Sequence, residues 1–415
     1  MIAPSKEISF VPENNLCHSC GVCSAVCPWN CIEMVRGEIQ DIPVVDHDIC
    51  TDCDLCVKAC SGHTTSSLEN IDLNNHKSYL GKFEKAFVGY SLNDNNRLNS
   101  ASGGVMTEFT SFLLREKKVD GVLATMMGED GYPYSFIAYS EQDLQKCRGS
   151  IYEVNDISEP LQEIFKSKDK IFAVIALPCQ LESLEKASKV KKKLKRIIKY
   201  RISLFCGKTI THKGVDYLLD KVAISREENY SYRTIPGWGT KFGTMAKKIK
   251  FWNTYINPGI FELNRCDLCS DFYGQYADIV FGDAWLPEYN NDTKGTSVIL
   301  VRNDSALGVL NEMKLKKIIF VDEITSGKVI ESQGLNSYYK FQSMPTKVEI
   351  REQFHKQTPY ENIADTQGYI KDKLYVLRKY FIINYFKTKE TKHILKYEVL
   401  YLFVIKILRK LFKEG

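Results

Sequence analysis

The sequence predicts an α+β protein in which a small cysteine-rich domain precedes a larger α/β body and a helical carboxyl-terminal tail. Three observations lead to this prediction. Two closely spaced cysteine runs begin at Cys17 and Cys50, apolar segments in the middle of the chain alternate with helical patterns, and residues 371–415 mix basic with aromatic side chains. With 415 residues and 44 % hydrophobic content, the chain is long enough for two or three domains with cores of their own.

The 14 cysteines need a chemical explanation, because a chain of this size folds without disulfides. The opening segment MIAPSKEISFVPENN lacks the apolar stretch of an export signal, so we expect a cytoplasmic protein with reduced thiols. Dense cysteine patterns in that compartment indicate metal binding rather than disulfides.

The two runs, CHSCGVCSAVC and CTDCDLCVKAC, share the spacing Cys-x2-Cys-x2-Cys-x3-Cys. This spacing is typical of bacterial ferredoxins with two 4Fe-4S clusters, in which the fourth cysteine of each run binds the other cluster. We therefore predict one cluster on Cys17, Cys20, Cys23 and Cys60, and another on Cys27, Cys50, Cys53 and Cys56. Zinc is the alternative, because paired Cys-x2-Cys units also occur in zinc ribbons.

The side chains that border the runs are expected to have structural roles. Cys31 lies outside both runs and is expected to pack as a small apolar side chain. His18 and His63 are expected to be solvated or hydrogen-bonded loop residues. Ser61 stands where a proline would complete the match of the second run to the first, which is closed by Cys27-Pro28.

The segment SSLENIDLNNHKSY is polar and is predicted to be a linker, and KAFVGYSL has the composition of a strand. Apolar positions from Val105 to Leu114 recur at three and four, which predicts a helix, and VDGVLATMM then predicts a buried strand. The helix opens on Ser102-Gly103-Gly104, which offers free backbone N–H groups to a ligand phosphate. Such turns are also common without a ligand.

Two further apolar runs each end in a cysteine. KIFAVIALPCQLESLEKA and YRISLFCGKTITHKG predict buried strands followed by helices, with Cys179 and Cys206 after the strand ends. Ligands of open α/β sheets gather at the carboxyl ends of the strands. With Cys266 and Cys269 of a further Cys-x2-Cys, these residues could hold a third cluster, while simple core packing of Cys179 and Cys206 is the equal alternative.

A family resemblance favours the cluster. Six motifs occur in order: SASGGVMTEF, CRGSIYEV, ALPCQLESL, LFCGK, RCDLCSDFYGQYADIVFGDAW and KGTSVILVRN. Over roughly residues 80–345 they resemble the beta-subunit family of coenzyme F420-reducing hydrogenases and dehydrogenases. The resemblance implies an FAD-containing iron-sulfur oxidoreductase with a ferredoxin domain fused in front. We therefore expect four domains: 1–75 (dicluster ferredoxin) from the cysteine spacing, 80–165 (flavin-binding) and 166–345 (cysteine cluster) from the resemblance, and 346–415 (basic helical tail) from composition.

The resemblance also implies site residues. Candidates for the flavin site are Ser102, Gly103, Gly104, Thr107, Ser150 and Tyr152, with Gly282 and Asp283 at the edge of the pocket. The implied ligands of a third 4Fe-4S cluster are Cys179, Cys206, Cys266 and Cys269. Ile151 stands where the family is expected to have lysine, so one phosphate contact is in doubt.

The expected chemistry joins single-electron clusters to a flavin that accepts electron pairs. Lys208 and His212 are candidates for substrate binding or proton donation, with solvated side chains as the alternative, and Cys147 is expected to be a packed thiol. The leading function is a reductase that passes electrons through the clusters to FAD and on to a small organic substrate. The family resemblance together with the basic tail suggests a role in surface-polysaccharide metabolism. The alternative is an electron-transfer subunit that docks on a partner enzyme.

The expected electron donor is reduced ferredoxin or a deazaflavin, since no Gly-x-Gly-x-x-Gly turn indicates a nicotinamide site. The tail, residues 371–415, has twelve Lys or Arg and four Asp or Glu, a net charge of +8, whereas the whole chain has +5. A basic amphipathic helix on an anionic membrane surface and a helical hairpin packed on the body are equal alternatives. The slight acidity of the remainder and the lack of a recognition module argue against nucleic-acid binding.

Overall fold

A computed structural model describes residues 7–69, 71–228, 230–232, 241–242, 259–360, 375–377, 379–381 and 384. The cysteine-rich region is built from short elements, because its backbone is committed to loops that present thiols. In chain order they are α1 (Phe10–Glu13), α2 (Val22–Val26), β1 (Ile32–Arg36), β2 (Asp41–Val45) and α3 (Leu55–Lys58). Strands β1 and β2 form an antiparallel hairpin.

The cysteine-rich region is joined to the body through a shared core. Val22 and Val26 of α2 pack in the same apolar cluster as residues of the body. Gly21 precedes α2 with φ +70°, and a Cβ atom there would clash with Asp156 and Ser158. Glycine at this position therefore permits both the left-handed turn and the close approach of the two regions.

The segment predicted to be a polar linker is packed against the body. It contains a 3-10 helix, His76–Leu80, and Tyr79 of this helix stacks on Phe341 with 4.4 Å between ring centroids. Leu68 and Leu73 pack against the same core. The segment therefore fixes the cysteine-rich region in place rather than leaving it on a flexible connection.

The body contains one mixed sheet with helices on both sides. Its first half consists of β3 (Lys85–Ser91), α4 (Asp94–Asn99), α5 (Val105–Arg115), β4 (Gly121–Met127), β5 (Pro133–Ala138), α6 (Glu141–Lys146), α7 (Ser158–Lys166), β6 (Phe172–Ile175) and α8 (Pro178–Val190). The second half consists of α9 (Leu194–Ile197), β7 (Ile198–Leu204), α10 (His212–Val222), β8 (Tyr230–Ser231), β9 (Lys241–Phe242), α11 (Asn264–Asp267), β10 (Ile279–Asp283), a 3-10 helix (Pro287–Tyr289), β11 (Ser297–Val301), α12 (Asp304–Leu315), β12 (Ile319–Glu323), α13 (Ser326–Gln333), α14 (Leu335–Phe341) and α15 (Met344–Gln353).

The sheet has eight strands in the order β12-β3-β11-β10-β7-β6-β4-β5. The four central strands, β10, β7, β6 and β4, are parallel, and the flanking strands pair antiparallel. The parallel strands are nearly continuous apolar runs because both faces of the sheet are covered. Their carboxyl ends meet at one edge, where the candidate site lies.

Alternation along each strand divides the core into two layers. Phe172 and Val174 of β6 pack on the face covered by α2, α7 and α8, whereas Ala173 packs on the opposite face. That opposite face is covered by α5 and α12, with Phe109 and Leu310 in its core. The cysteine-rich region and α8 therefore pack on the same face of the sheet.

The predicted elements of the body are confirmed. The helix expected over Val105–Leu114 is α5, and the strands expected in VDGVLATMM, KIFAVIAL and YRISLF are β4, β6 and β7. Strands β6 and β7 are parallel neighbours, as the third-cluster prediction requires.

Most of the predicted tail lies outside the described residues. The described positions 375–377, 379–381 and 384 have helical backbone. They pack on the body, since Tyr375 stacks on Tyr339 and Tyr380 stacks on Phe354. These residues of the tail pack on the body. Binding of the tail to a membrane stays a prediction for the remaining residues.

Candidate functional site: three cysteine sets and a cavity

The first predicted set of cysteines comes together. Cys17, Cys20, Cys23 and Cys60 line one small cavity, whose other walls include Met34 and Pro43. Cys20 and Cys23 flank the start of α2, and Cys60 follows α3. Burial raises the pKa of the Cys17 thiol to about 12. A thiolate in such a place needs a positive partner, as iron would be.

The second predicted set is nearer to the surface. Cys56 interacts electrostatically with Cys53 and Cys27, and Cys53 is exposed to solvent. Cys31 is buried as expected, but it is also part of this neighbourhood, because its sulfur lies 3.3 Å from that of Cys27 and it also contacts Cys50. Sequence spacing alone did not predict this contact.

The third predicted set also comes together. Cys179, Cys206, Cys266 and Cys269 line a common small cavity at the carboxyl edge of the sheet. Cys179 is the second residue of α8, Cys206 follows β7, and the other two belong to α11 and the loop behind it. Thr209 contacts Cys266, with 3.3 Å between hydroxyl oxygen and sulfur.

The cysteines of each set face a shared space without converging on a point. Among the described residues, no group of three or more Cys, His, Asp or Glu side chains lies close enough together to hold a single metal ion. Four thiols around a cavity suit a cluster with iron at its corners better than a tetrahedral zinc ion, whose ligands all lie about 2.0–2.3 Å from one centre.

Helix α8 runs past all three sets. Cys179 is in its first turn, the Lys186 ammonium donates to the carbonyl of Cys60 at 2.8 Å, and Lys191 just beyond its end interacts electrostatically with Cys27 and Cys53. At 1.5 Å per residue, the helix axis covers about 18 Å between positions 179 and 191. The sets therefore follow one another in the order third, first, second.

Electrostatic contacts between sets support the same order. Cys23 of the first set interacts with Cys56 of the second, and Cys20 of the first interacts with Cys179 of the third. His18 lies between the first and third sets and lines both cavities. Its ring is buried and hydrogen-bonded to Ser61 at 2.7 Å, and burial lowers the pKa of His18 to about 3, so it is neutral. The hydrogen-bonded half of the expectation for His18 is confirmed.

Buried cations lie beside the third set. Lys340 of α14 is 6 % exposed and lines the same cavity. Burial lowers the pKa of its ammonium, but the nearby Cys269, Cys206 and Cys266 raise that pKa by more than burial lowers it. Lys340 is therefore held in the charged form. The Arg265 guanidinium donates to the carbonyl of Leu268 at 2.6 Å. Both charges would offset the negative charge of a thiolate-bound cluster.

A larger cavity of about 920 Å³ adjoins the third set. This volume lies in the upper part of the range for cofactor and ligand pockets. Seven of the eight predicted flavin-site residues line it: Ser102, Gly104, Thr107, Ser150, Tyr152, Gly282 and Asp283. Cys206, Asn155, Leu177, Gln180 and Thr209 line both this cavity and that of the third set. The two spaces are therefore immediate neighbours.

The eighth residue, Gly103, has a different position from the one predicted. It is not among the lining residues, and its backbone N–H donates to the Ser297 hydroxyl at 3.0 Å. A Cβ atom at Gly103 would approach the Ser297 nitrogen to 2.9 Å. Gly103 is needed for the contact between the turn and β11, while Gly104, with φ +76°, begins α5 at the cavity wall.

The cavity has a polar end and an apolar end. The amino terminus of α5 offers backbone N–H donors and the Thr107 hydroxyl, and Arg148 supplies a cation that the sequence analysis did not single out. Aromatic walls are formed by Phe205, Phe272, Phe281 and Trp285. Cys147, expected to be a packed thiol, packs against the core and also lines the cavity.

Lys208 lines the cavity, as expected for a residue that meets a ligand. Its ammonium lies 2.9 Å from the carboxylate of Glu262. Burial lowers the pKa of Lys208, although Glu262 opposes this. Lys379 of the tail contacts the same carboxylate at 3.0 Å and also Asp267 at 2.9 Å. The tail is thereby connected to the cavity wall through Glu262.

His212 is not among the cavity residues. It is 3 % exposed, its ring lies 2.6 Å from Glu153 and 3.4 Å from Asp41, and Arg226 pairs with the same glutamate. Burial alone would lower its pKa, but hydrogen bonds and charges of the two carboxylates raise the pKa of His212 to about 9. The geometry favours a structural role, since Asp41 belongs to the β hairpin of the cysteine-rich region, over the predicted catalytic one.

Comparison with known proteins agrees with this arrangement. Residues 86–162 match the amino-terminal part, and residues 169–327 the carboxyl-terminal part, of the coenzyme F420 hydrogenase/dehydrogenase beta subunit. The chain belongs to this family. Residues 16–62 match a 4Fe-4S dicluster domain. The family resemblance and the dicluster ferredoxin region predicted from the motifs are thus confirmed.

Two curated proteins illustrate how similar the sequence is to its relatives. An F(420)H(2) dehydrogenase subunit of Methanosarcina mazei is 26 % identical over 301 residues, which are 68 % of this chain and 79 % of the relative. Coenzyme F420-dependent sulfite reductase of Methanocaldococcus jannaschii is 23 % identical over 334 residues, which are 77 % of this chain. The match spans only 49 % of that reductase.

A solved structure shares the fold. A chain of the F420-reducing NiFe hydrogenase complex from Methanosarcina barkeri superposes with a TM-score of 0.53 at 19 % identity, over 66 % of this chain and 94 % of that one. Within the described part of this chain, no helix has the length and apolar character needed to span a bilayer.

Proposed function

We propose that this protein is an iron-sulfur flavoprotein that transfers electrons between a cluster near its surface and FAD in the large cavity, by way of two further clusters. The observation that carries the proposal is the double position of Cys206, which lines both the third-set cavity and the large cavity. Electrons that reach the third set would be next to the flavin without crossing solvent.

The residues of the cavity fit FAD. Gly104 and the first turn of α5 supply backbone N–H donors for a pyrophosphate, Arg148 supplies a counter-charge, and the aromatic walls suit an isoalloxazine ring. When bound, FAD exchanges electron pairs with a hydride partner and single electrons with clusters. The departure at Ile151 is compatible with this, since Arg148 and Lys208 line the same cavity.

The protein residues would orient the cofactor and exclude water. Gln180 is held in place because its side-chain oxygen accepts from the Leu177 N–H at 2.8 Å and its side-chain nitrogen donates to the Asn155 carbonyl at 3.2 Å. All three line the boundary between the two cavities. Lys208, with its ammonium beside Glu262, would meet an anionic group of the cofactor or substrate.

We favour an electron-transfer subunit over a self-sufficient reductase. The curated relatives include a dehydrogenase subunit, and the solved neighbour is a chain of a hydrogenase complex. A small organic substrate and a role in surface-polysaccharide metabolism stay predictions. Turnover of a small substrate by the purified chain alone would favour the reductase, and turnover only in a complex would favour the subunit.

The third cluster is tested by iron analysis. Anaerobically reconstituted wild-type protein is expected to carry about 12 iron atoms, and the Cys179→Ser variant about 8, with unchanged signals from the other two clusters. Cys147→Ser is the matched control, because Cys147 lines the large cavity but belongs to none of the three sets, so it should retain about 12. If Cys179→Ser also retained all its iron, these four cysteines would be core residues.

The flavin is tested by release. Denaturing protein that has been reconstituted with FAD should free non-covalent flavin, detected by chromatography. Cys179→Ser should bind the same amount of FAD but reduce it far more slowly from the clusters. Protein that contains no flavin after reconstitution would leave the chain a pure iron-sulfur relay.

A further inference from the structure

The second cysteine set is bordered by a basic surface that the proposed electron path does not explain. Residues 189–196, Lys-Val-Lys-Lys-Lys-Leu-Lys-Arg, contain six basic and no acidic side chains. Five of the six are exposed and Lys191 is half-buried. Among the described residues, none of the six forms an ion pair with a carboxylate. We call residues 189–196 the basic segment.

The basic segment is held rigidly beside the second set. Leu194 and Ile197 of α9 are buried in the core below it. Helix α8, which leads into it, packs on α2 and α3, the helices that follow Cys20 and Cys53. The Lys191 ammonium lies over the Phe165 ring, 5.7 Å from its centroid. The backbone that carries these charges is therefore anchored beside the cluster site.

The second set is also the place where the electron path reaches solvent. Cys53 is exposed, whereas the cysteines of the other sets are buried or half-buried. Trp29, two residues after Cys27, is 54 % exposed. Tryptophan and flanking charges are typical of the centre and rim of protein interfaces. Membranes or nucleic acids would have no need to bind next to an exposed cluster ligand.

We propose that the basic segment, Trp29 and Cys53 form the docking surface for a small acidic protein that carries one electron at a time. The inference rests on the proposed function, because it identifies where that function receives or releases electrons. Opposite charge accelerates encounter and orients the partner. The loop that carries Cys50 and Cys53 also holds Asp46, Asp48, Asp52 and Asp54. Because Asp52 and Asp54 flank Cys53 itself, attraction of an acidic carrier comes from the basic segment alone, and the aspartates restrict the carrier's approach to the side that this segment occupies.

The test uses the full chain with reconstituted clusters and a reduced bacterial two-cluster ferredoxin as the probe. Stopped-flow spectroscopy follows reduction of the protein's own clusters at several salt concentrations. For wild type, the second-order rate constant is expected to fall at least about tenfold between about 20 and 500 mM salt, since screening weakens steering. For Lys192→Glu/Lys193→Glu, the low-salt rate constant should fall by about tenfold or more and lose most of its salt dependence.

A matched control is Lys314→Glu/Lys317→Glu. These two exposed lysines lie at the end of α12, on the opposite face of the sheet, and the charge change is the same. The control is expected to keep the wild-type rate constant within about twofold. Reduced methyl viologen, a small cationic donor, should reduce the clusters of Lys192→Glu/Lys193→Glu at least as fast as those of wild type, because the added negative charge attracts it.

Three results would overturn the proposal. One is an unchanged ferredoxin rate in Lys192→Glu/Lys193→Glu, and another is an equal loss in the control. The third is loss of binding to anionic vesicles in the variant with an unchanged ferredoxin rate, which would assign the basic segment to membrane contact. Failure of the proposed function would look different, because viologen-reduced clusters would then fail to reduce bound FAD whatever the ferredoxin rate.

Discussion

Replacing Lys340 by methionine is predicted to lower the midpoint potential of the proposed third cluster. Lys340 is buried, charged and adjacent to Cys206, Cys266 and Cys269. Reduction adds one negative charge to a cluster, and a nearby cation stabilises that reduced form. Methionine has a similar length and no charge, so the substitution removes the electrostatic term with little change in packing.

The size of the effect follows from Coulomb's law. For a charge about 6 Å from the cluster centre and an effective dielectric constant of about 20, the interaction is worth about 3 kcal/mol. With 59 mV for each factor of ten in a one-electron couple, this corresponds to a shift of about 120 mV to more negative potential. Arg265, which also interacts with Cys269 and Cys179, stays in place, so the shift reports one of two buried cations.

The assay is a redox titration of the reconstituted protein followed by electron paramagnetic resonance. Lys340→Arg is the control, because it keeps the charge and should hold the potential within about 30 mV of wild type. Iron content and thermal unfolding check that both variants contain three clusters in a folded chain. If Lys340→Met left every midpoint potential unchanged, or if Lys340→Arg shifted one by the same amount, the charge of Lys340 would not act on a cluster.

Three further predictions concern residues around this path. Folding raises the pKa of His212 from about 6.5 to about 9, so the protonated ring adds to the free energy of unfolding of wild type. This contribution is complete below about pH 6.5 and disappears as the pH rises through 9. His212→Gln lacks it at every pH. Denaturant unfolding should therefore show wild type losing about 3 kcal/mol more than the variant over this interval, and parallel profiles would contradict the assignment. Lys379→Met removes the ammonium that contacts the buried carboxylates of Glu262 and Asp267, and should lower the free energy of unfolding by about 3 kcal/mol. An unchanged melting temperature would show that these ion pairs are not formed. Removal of residues 385–415 should abolish salt-sensitive sedimentation with anionic vesicles without affecting iron content, and equal sedimentation of the shortened chain would refute membrane contact by the tail.

The two ferredoxin cysteine sets could be predicted because most of their ligands lie close together in the sequence. Three of the four cysteines of each ferredoxin set lie within seven residues, so spacing alone identifies them. The third set is scattered between Cys179 and Cys269, and spacing says little there. It could be anticipated because Cys179 and Cys206 follow strands that were expected to be parallel neighbours, which places both at one edge, and because the family resemblance favoured a cluster over core packing.

Buried polar residues could not be predicted in the same way. The half-buried Lys186 and the buried Arg265 and Lys340 look like ordinary surface residues in the sequence, since nothing nearby in the chain indicates their surroundings. Their surroundings come from segments that are distant in sequence, as when Lys186 bonds to the carbonyl of Cys60. His212 misled for the opposite reason: it follows a cysteine motif that does reach the cavity, but its own side chain points to Glu153 and Asp41.

The predicted linker shows how polarity can conceal packing. Most of its described polar residues face solvent, although Ser67 is buried, while Leu68, Leu73 and Tyr79 are spaced irregularly, with no period of a helix or strand. Because Tyr79 stacks on Phe341, the segment is part of the core. Irregular segments give no periodic signal, so burial in them becomes visible only in three dimensions.

Buried charges at the third set favour one direction of electron flow. At the second set, four aspartates of its loop, one of which has its carboxylate oxygen 3.7 Å from the Cys50 sulfur, oppose the cations of the basic segment, and solvent screens the exposed charges of both signs. The third set is surrounded by the buried charges of Lys340 and Arg265, which favour reduction. Electrons entering at Cys53 would therefore move to a site of higher potential as they approach the cavity. The redox titration that tests Lys340 tests this ordering too, because a third cluster with the lowest potential of the three would reverse the favoured direction.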